Sequence, residues 1–460
     1  MYVIQRGKHL LLPAIIAGTA IRTKRLLHRA VIAFGLPLLA ACSAKESLPR
    51  VERPDGFSDR YTPERVVILS RHGIRSPLNR GGSVLSRITP HKWFNWTSAP
   101  SELSRKGAVQ EFRLGQYLGR RLEEEGLFPA KWSPVEGEVR LYANALQRTI
   151  ATSRSFIAGF LPLENIPVEH HGALGTMDPV FSVCLRSIDS LFVQCALHEM
   201  DSLALLYRDE LRQNYPLLAR VLDFDRSAAK AAGDTTRFRL DDIVFELREG
   251  EEPQVTGTLC WACRAADALT LQYYEEPDDR KAGFGYRLSL DGWRRISAVK
   301  EVYQRLLFAT PVIARHLAQP MAACLREELT VPGRRFTFLC GHDSNLLSVL
   351  SALQAEPYTL PGAVEADTPV SSMLILRRWK GVDGADYASL SLLYPTAEEL
   401  RKGADLDRRN PPAEVAISLQ GLVRNEDGLY RLEDVLARMD KVISCNPCGN
   451  CGQIQNNFVN

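Results

Sequence analysis

The chain of 460 residues is 45% hydrophobic and 24% charged, which is typical of a globular protein with one large or two medium domains. The formal net charge of +3 is local, because residues 1–41 hold six basic side chains and no acidic one, so the rest of the chain is mildly acidic. This distribution excludes nucleic-acid binding through a broad basic surface, and functional positive charge must be concentrated in a pocket.

The N-terminal segment predicts a targeting signal. Basic residues end at Arg29, and the apolar run 30–41 is too short to span a bilayer as a permanent helix. The run ends in Leu-Ala-Ala-Cys, which resembles a bacterial lipobox, and Ser43 favours sorting to the outer membrane. We therefore expect a lipoprotein signal peptide over 1–41, lipidation at Cys42, and a periplasmic protein that meets the membrane only through this lipid anchor. A soluble secretory signal with a chance cysteine is the alternative.

The polar, proline-bearing stretch after the lipobox, residues 42–60, predicts a tether. An apolar run at 66–69 then predicts a short buried strand, and Arg-His-Gly-Ile-Arg follows it at 71–75. Arg71 and Arg75 each present a planar fork of donors suited to phosphate oxygens. The spacing predicts that His72 is a nucleophile in a cationic socket, whereas a lone histidine would be a hydrogen-bonded core residue.

The remaining periodicity predicts where strands and helices fall. A helix is expected over 103–122, a strand over 139–142 with Arg148 just beyond it, and helices dominate 150–330, as at 188–206 and 292–317. Strands return at 335–340, 373–377 and 388–393. The expected organisation is an α/β catalytic domain built from 61–150 and 331–440, an inserted, mainly helical domain over 151–330, and a disordered tail over 441–460.

The last buried strand supplies the partner of the arginine-rich string. Gly-His-Asp-Ser-Asn at 341–345 follows the run 336–340 and precedes an apolar helix pattern. Ligands in open α/β sheets sit at the carboxyl ends of strands, so the two polar clusters are expected to converge. Asp343 is also suited to the N-cap of the helix, which is compatible with a role in catalysis.

Through these two motifs the chain resembles the histidine acid phosphatases, the branch of the histidine phosphatase superfamily that includes bacterial phytases. Residues 142–152, 175–179 and 266–275 resemble segments of bacterial glucose-1-phosphatases, and similarity runs from about 60 to 440. One departure is Gly73, as in phytases, where glucose-1-phosphatases tend to have Asn. The resemblance implies a phosphoglycerate-mutase-like α/β sandwich with the helical insertion, and an active cleft where the two lobes meet.

The resemblance also implies the role of each site residue. His72 becomes phosphorylated, and Asp343 protonates the leaving alcohol and then acts as the base for water. The groups expected to hold the phosphate oxygens are Arg71, Arg75, Arg148 and His342. A metal-free arginine cradle suffices for phosphoryl transfer, so no cofactor and no metal are expected.

Two further side chains are expected to contact or select the substrate. Glu275 matches the glutamate that restricts bulky polyphosphorylated substrates in glucose-1-phosphatases, although by itself it is an ordinary solvated carboxylate. Lys92 lies in a matching segment and is a candidate substrate contact. The neighbouring aromatic residues Trp93, Phe94 and Trp96 form a sugar platform or part of the core.

The cysteines suit an oxidising compartment, and their pairing is left open by the sequence. Cys184 with Cys195, and Cys260 with Cys263, are possible pairs. The tail Cys445-x2-Cys-x2-Cys lacks the fourth ligand usual for a structural zinc site, so we expect no metal to bind there.

The function expected from these observations is an acid phosphatase for small phosphomonoesters, glucose 1-phosphate foremost, acting through phosphohistidine. A phytase is the alternative within enzymes, supported by Gly73. Alternatives from other classes are a catalytically silent lipoprotein that binds phosphorylated ligands and a metal-dependent hydrolase that uses the cysteine tail. The sequence leaves the oligomeric state open.

Overall fold

The computed structural model describes residues 48–78, 83–129, 131–233 and 238–445. Cys42, the predicted signal peptide, Cys448 and Cys451 lie outside these ranges. The strands are β1 (Tyr61–Arg71), β2 (Val139–Ala143), β3 (Val168–Glu169), β4 (Val244–Glu246), β5 (Gln254–Thr256), β6 (Phe336–Gly341), β7 (Met373–Gly381), β8 (Asp386–Tyr394), β9 (Ala413–Ala416) and β10 (Tyr430–Arg431).

The helices in the described part of the chain are α1 (Phe57–Arg60), α2 (Arg105–Glu124), α3 (Gln147–Phe160), α4 (Ser190–Leu206), α5 (Arg208–Val221), α6 (Ala228–Ala231), α7 (Thr258–Glu275), α8 (Asp279–Ala282), α9 (Leu290–Gln304), α10 (Pro311–Leu317), α11 (Gln319–Thr330), α12 (Asp343–Ala352), α13 (Ala397–Lys402) and α14 (Leu432–Ile443). Short 3₁₀ turns occur at Val84–Ser86 and Phe224–Arg226.

The central sheet is mixed, in the order β10-β8-β7-β1-β6-β2-β3, with β9 paired to β8. The strands β1, β6, β2 and β3 run parallel to one another. On the other side of β1, β7 pairs antiparallel with β1, and β8 pairs antiparallel with β7. Residues 66–69 of β1 are fully buried, as expected of a strand covered on both faces. The parallel register brings Arg71 level with Gly341, and Ala143 level with Cys340, so three strands end together at one edge.

Helices cover both faces of this sheet. On one face α2 and α3 pack closely, because an added Cβ on Gly115 would lie 2.1 Å from the Phe156 carbonyl oxygen, and one on Gly159 would lie 2.0 Å from that of Phe112. On the other face α11, α12 and α14 contribute to a second apolar cluster. This layering is the α/β class that the sequence predicted.

The segment between β3 and β6 is mainly helical and has its own apolar cluster, in which Tyr273 stacks on Trp293 with ring centroids 4.2 Å apart. The segment also contains the small antiparallel hairpin β4–β5. The helix predicted over 292–317 is interrupted: α9 ends at Gln304, a π-helical turn follows, and α10 begins at Pro311. Proline lacks an N–H and is favoured in a first turn, which is consistent with the new start at Pro311, although α5 holds Pro216 in its interior. The exact bounds of the inserted domain stay a prediction.

The described part of the predicted tether is packed on the body of the protein. Leu48 contacts the cluster that includes α11, α12 and α14, the Pro49 carbonyl accepts a hydrogen bond from Glu414, and Arg53 pairs with Glu125 at 2.9 Å. At the other end, α14 continues to Ile443, inside the segment predicted as a disordered tail. Apolar contacts hold both segments, which polar composition alone did not reveal.

Within the described ranges, no helix is long and apolar enough to cross a membrane. The cysteines in those ranges are all free thiols, so the possible pairs 184–195 and 260–263 are not formed: Cys184, Cys195, Cys260, Cys263, Cys324, Cys340 and Cys445.

Candidate active site

The two sequence motifs meet at the carboxyl edge of the sheet. His72 follows β1 directly, and its backbone N–H donates to the Gly341 carbonyl at the end of β6 at 3.1 Å. The next residues of that chain, His342 and Asp343, begin α12. The rings of His72 and His342 are 5.5 Å apart in an edge-to-face arrangement. Arg148 reaches the same edge from the start of α3, just after β2.

The imidazole of His72 is held neutral and oriented. Its Nδ1 lies 2.9 Å from the Gly73 carbonyl oxygen, which can only accept, so Nδ1 carries the hydrogen and Nε2 is left as a free base. Burial lowers the pKa of His72 well below its ordinary value, and the nearby charges of Arg148 and Arg75 lower it further. A neutral Nε2 is the form that attacks phosphorus.

Gly73 gives this turn the room that it needs. A Cβ at that position would lie 2.9 Å from Oε1 of Glu111 and 3.1 Å from Cδ1 of Leu103. The Gly73 N–H donates to Thr152 Oγ1 at 3.0 Å, which fixes the backbone beside His72. A side chain here would require the Glu111 and Leu103 side chains to move aside.

One side-chain nitrogen of Arg71 is held by hydrogen bonds, whereas the other two make none. Its Nη1 donates to Glu365 Oε1 at 2.5 Å and to the Thr368 carbonyl at 2.6 Å. Its Nε and Nη2 are buried and have no hydrogen-bond partner, although Nη2 lies 3.3 Å from Asp343. Buried unpaired donors are costly, so these nitrogens point to an anion as their partner.

The other two arginines predicted to bind phosphate share this property. Arg75 donates from Nη2 to Asp267 at 3.0 Å, and its Nε is buried without a partner. The Nε of Arg148 is also buried without a partner. Burial and the charge of Arg75 lower the pKa of Arg148 to about 10, as expected where cations are crowded together in a buried site.

His342 presents a donor to the same space. Asn144 Nδ2 lies 2.6 Å from His342 Nε2, and the Asn144 amide orientation is set because its Oδ1 accepts from the Asp178 N–H. Nε2 of His342 is therefore the acceptor, and Nδ1 is the protonated nitrogen. That Nδ1 is buried and has no partner, so it is free to donate to a phosphate oxygen.

Asp343 is the carboxylate of the site. Burial raises its pKa, but Arg71 and Lys300 outweigh burial and hold the pKa of Asp343 well below its ordinary value. Its Oδ2 lies 3.3 Å from Arg71 Nη2 and 3.4 Å from Lys300 Nζ. These cations thus keep the carboxylate ionised, and a phosphate dianion that offsets their charge would favour its protonation.

Sequence reasoning missed a group of charged residues behind the cradle. Lys300, on α9, is buried and contacts Glu365 at 2.9 Å, Asp343 at 3.4 Å and Asp267 at 3.5 Å. Asp267, on α7, lies within the family-like segment 266–275. A charged side chain in the mostly apolar α7 is the signal that could have identified Asp267, whereas α9 carries several other charges and offers no such signal for Lys300.

The two predicted substrate-contacting residues lie at different places. Glu275, at the end of α7, accepts a hydrogen bond from Ser104 at 2.9 Å; burial raises its pKa, and Lys106 is the nearby cation. Lys92 is exposed. Glu252, which the sequence did not single out, is an exposed residue at the edge of the site. Desolvation by the surrounding protein raises its pKa, and the nearby charges that act on it are those of Arg148 and Asp343.

No cluster of three metal-ligating side chains occurs within the described residues. Of the predicted cysteine tail, those residues include Cys445 alone.

Similarity to known proteins agrees with this geometry. A family model described as the histidine phosphatase superfamily (branch 2) matches residues 64–204. The chain is 34% identical over 380 residues to a glucose-1-phosphatase of Salmonella typhimurium (strain LT2), covering 81% of this chain and 91% of the relative. It is 31% identical over 386 residues to a glucose-1-phosphatase of Providencia rettgeri, covering 83% and 92%.

Phytases are also similar. A phytase of Escherichia coli (strain K12) is 28% identical over 392 residues, covering 80% of this chain and 89% of the relative. Among solved structures, the apo form of Hafnia alvei phytase superposes with a TM-score of 0.76 at 24% identity, covering 85% of this chain and 98% of that one. The latter similarity shows the shared fold.

A histidine among guanidinium groups, with a carboxylate beside it at the edge of this sheet, defines a phosphatase that uses histidine. The chain belongs to the histidine acid phosphatase family, in branch 2 of the histidine phosphatase superfamily. It is a hydrolase of phosphomonoesters, and the predicted family and α/β fold are both confirmed.

Proposed function

We propose that the protein is an acid phosphatase of small phosphomonoesters, sugar phosphates like glucose 1-phosphate foremost, and that it works through a phosphohistidine at His72. The observation that carries this proposal is a buried, neutral imidazole surrounded by guanidinium nitrogens without partners, with one carboxylate beside it. The glucose-1-phosphatase relatives support the choice of substrate class.

In the first step, His72 Nε2 attacks phosphorus and the bond from phosphorus to the ester oxygen breaks. Asp343, protonated in the substrate complex, gives its proton to the leaving alcohol. Arg71, Arg75, Arg148 and His342 hold the non-bridging oxygens and stabilise their charge in the transition state.

In the second step, water attacks the phosphohistidine and the bond from nitrogen to phosphorus breaks. Asp343, now ionised, takes a proton from the attacking water, so the enzyme returns to its first state and inorganic phosphate leaves. No oxidant, reductant or metal enters either step.

The direct test is His72→Ala assayed on an aryl phosphate at acidic pH. Loss of at least about a thousandfold in kcat is expected, because no other group can supply the nucleophile. His316→Ala is a matched control, since His316 is also buried but accepts a hydrogen bond from the Arg186 N–H instead. Turnover of His72→Ala at the wild-type rate would refute the mechanism.

Phytase activity is the second candidate, supported by Gly73 and by the similarity to Escherichia coli phytase. Rates on glucose 1-phosphate and inositol hexakisphosphate separate the two functions. A preference for the latter would overturn the sugar phosphate assignment, and with it the gate role of Glu275, which stays a prediction together with substrate contact by Lys92. A silent phosphate-binding protein would have no use for Asp343 beside the leaving group.

The cellular location is part of the proposal. The Leu-Ala-Ala-Cys sequence at 39–42 supports lipidation of Cys42 and a periplasmic protein anchored to the outer membrane. Metabolic labelling with a fatty acid tests it: incorporation into the wild type and none into Cys42→Ser is expected. Equal labelling of both proteins, or none of either, would refute the anchor.

A further inference from the structure

The most heavily paired buried carboxylate near the cradle belongs to a residue outside the predicted site. Glu365 lies in the loop between α12 and β7 and is 2% exposed. Its Oε1 accepts from Arg71 Nη1 at 2.5 Å and from Lys300 Nζ at 2.9 Å. Its Oε2 accepts from Tyr274 Oη at 3.0 Å and from the Val370 N–H at 3.1 Å.

These side-chain partners come from the central sheet and from the helical segment between β3 and β6. Arg71 ends β1 of the sheet, whereas Lys300 is on α9 and Tyr274 on α7 of the helical segment. With all four hydrogen bonds made, the carboxylate is satisfied and cannot rotate toward a substrate. Glu365 therefore contacts the machinery without touching the phosphate site itself.

The same two cations contact Asp343. Arg71 Nη2 lies 3.3 Å and Lys300 Nζ 3.4 Å from Asp343 Oδ2. Without Glu365, Arg71 would act mainly on Asp343, and Lys300 would be shared only between Asp343 and Asp267, which it contacts at 3.5 Å, so both cations would favour the ionised form of Asp343 more strongly. Glu365 offsets part of that charge at short range, in a site where burial makes charges act strongly.

We propose that Glu365 is a positioning residue for the reaction: it anchors Arg71 so that Nε and Nη2 face the phosphate, and it offsets the charge of Arg71 and Lys300 so that Asp343 can carry the proton of the leaving group. The inference rests on the proposed function and adds to it a residue that never meets the substrate.

The charged and titratable groups that face this pair come from each surrounding element. Around Glu365 they are Arg71, Lys300 and Tyr274. Around Asp343 they are Arg71, Lys300, His72, Arg148, His342 and Glu252. Asp267 contacts Lys300 and Arg75, whereas Glu365 contacts both cations that touch Asp343 and lies outside the phosphate cradle.

The sign of the effect follows from the charges. Glu365→Gln removes a negative charge, so Asp343 holds its proton less firmly, and the alkaline limb of the kcat profile should move to lower pH by about one unit. Above that limb, one unit corresponds to about a tenfold loss of kcat. A sugar phosphate needs a protonated leaving group, so it should lose more than 4-nitrophenyl phosphate, whose leaving group needs little protonation.

Glu414→Gln is the matched control. Glu414 is equally buried and pairs with Arg121 at 2.5 Å and with Arg377 at 3.1 Å. These two arginines lower the pKa of Glu414 to about 2, just as Arg71 and Lys300 lower the pKa of Glu365. It lies on β9, away from the site. Its loss should reduce stability without moving the pH profile.

The experiment measures kcat and KM from pH 4 to 8 on glucose 1-phosphate and 4-nitrophenyl phosphate for wild type, Glu365→Gln and Glu414→Gln. The expected result is a limb shifted to lower pH and a larger loss on the sugar phosphate for Glu365→Gln alone. An unshifted limb, or equal losses on both substrates, would overturn the inference.

A second variant keeps the test decisive if Glu365→Gln does not fold. Lys300→Met removes a cation from Asp343 and should move the limb to higher pH, opposite to Glu365→Gln. A shift to lower pH, or none, would overturn the charge argument. Wild-type protein that hydrolyses neither substrate would instead refute the proposed function, which separates the two failures.

Discussion

The rings of His72 and His342 lie 5.5 Å apart because β1 and β6 are adjacent parallel strands that end in register. Each histidine is the first residue beyond its strand, so the sheet itself sets their spacing. His72 has its Nδ1 on the Gly73 carbonyl, and His342 accepts from Asn144. His72 is therefore held with Nε2 free to act as a base, and His342 is held with Nδ1 free to act as a donor.

Stability should fall as the pH is lowered in phosphate-free buffer. The pKa values of His72 and His342 are lowered, first by burial and then by Arg148. Below about pH 6.5 the unfolded chain binds protons that the folded protein does not, so each histidine costs up to about 1.4 kcal/mol per pH unit. Urea unfolding between pH 6.5 and 4.5 measures this slope.

His342→Asn is the variant that checks the cause of that slope. It removes one of the two groups, so its stability should depend less on pH than that of the wild type. Saturating phosphate should also flatten the slope, because an anion favours protonated imidazole. An identical slope in the variant would assign the acid sensitivity to other groups.

Arg148 should contribute to phosphate binding in the ground state and the transition state. Its Nε is buried without a partner, so Arg148→Ala removes a donor made for the substrate. A loss of about 100- to 1000-fold in kcat/KM is expected, together with weaker inhibition by inorganic phosphate. Arg154→Ala, an exposed position on the same helix, is the control and should keep both values.

The room at Gly73 is occupied by Glu111. An added Cβ would approach Glu111 Oε1 to 2.9 Å, and Glu111 is fully buried, with burial raising its pKa to about 8. We expect Gly73→Ala to lower kcat by less than tenfold, because the end of the Glu111 side chain can move aside, and Gly73→Ala/Glu111→Ala to regain part of that loss. A Gly73→Ala variant with wild-type kcat would contradict this account of the turn.

Measurements of substrate selectivity should distinguish the roles of Glu252 and Glu275. Glu252 feels the charges of Arg148 and Asp343, whereas Glu275 is bonded to Ser104 and lies near Lys106. We expect Glu252→Gln to raise the rate on inositol hexakisphosphate relative to glucose 1-phosphate more than Glu275→Gln does, because removing a negative charge near the cradle favours a polyanion. The opposite order would assign the gate to Glu275, as the resemblance implied.

Much of the fold could be predicted because apolar runs mark buried strands. The runs at 66–69 and 336–340 lie in β1 and β6, and parallel pairing then places their polar ends together. The break at Pro311 and the packing of 48–53 could not be predicted as readily, since both depend on contacts with distant segments. Helical periodicity by itself continues through such a break.

The site was predicted only where its residues lie close together in short motifs. Lys300 and Glu365 are far from the motifs in sequence, and only the packing of the helical segment on the sheet brings them to Asp343 and Arg71. Glu275 accepts a hydrogen bond from Ser104, and its role as a gate stays a prediction. A motif fixes neighbours along the chain, whereas charge compensation between distant segments requires tertiary structure.

Trapping of the phosphoenzyme tests the central claim most directly. Wild-type protein quenched during turnover of a radiolabelled phosphomonoester should carry phosphate that is labile to acid and stable to base, and peptide mapping should place it at His72. His72→Ala should carry none, and Asp343→Asn should retain label longer because it lacks the base for water. Turnover by wild type with no label at His72 would contradict the account.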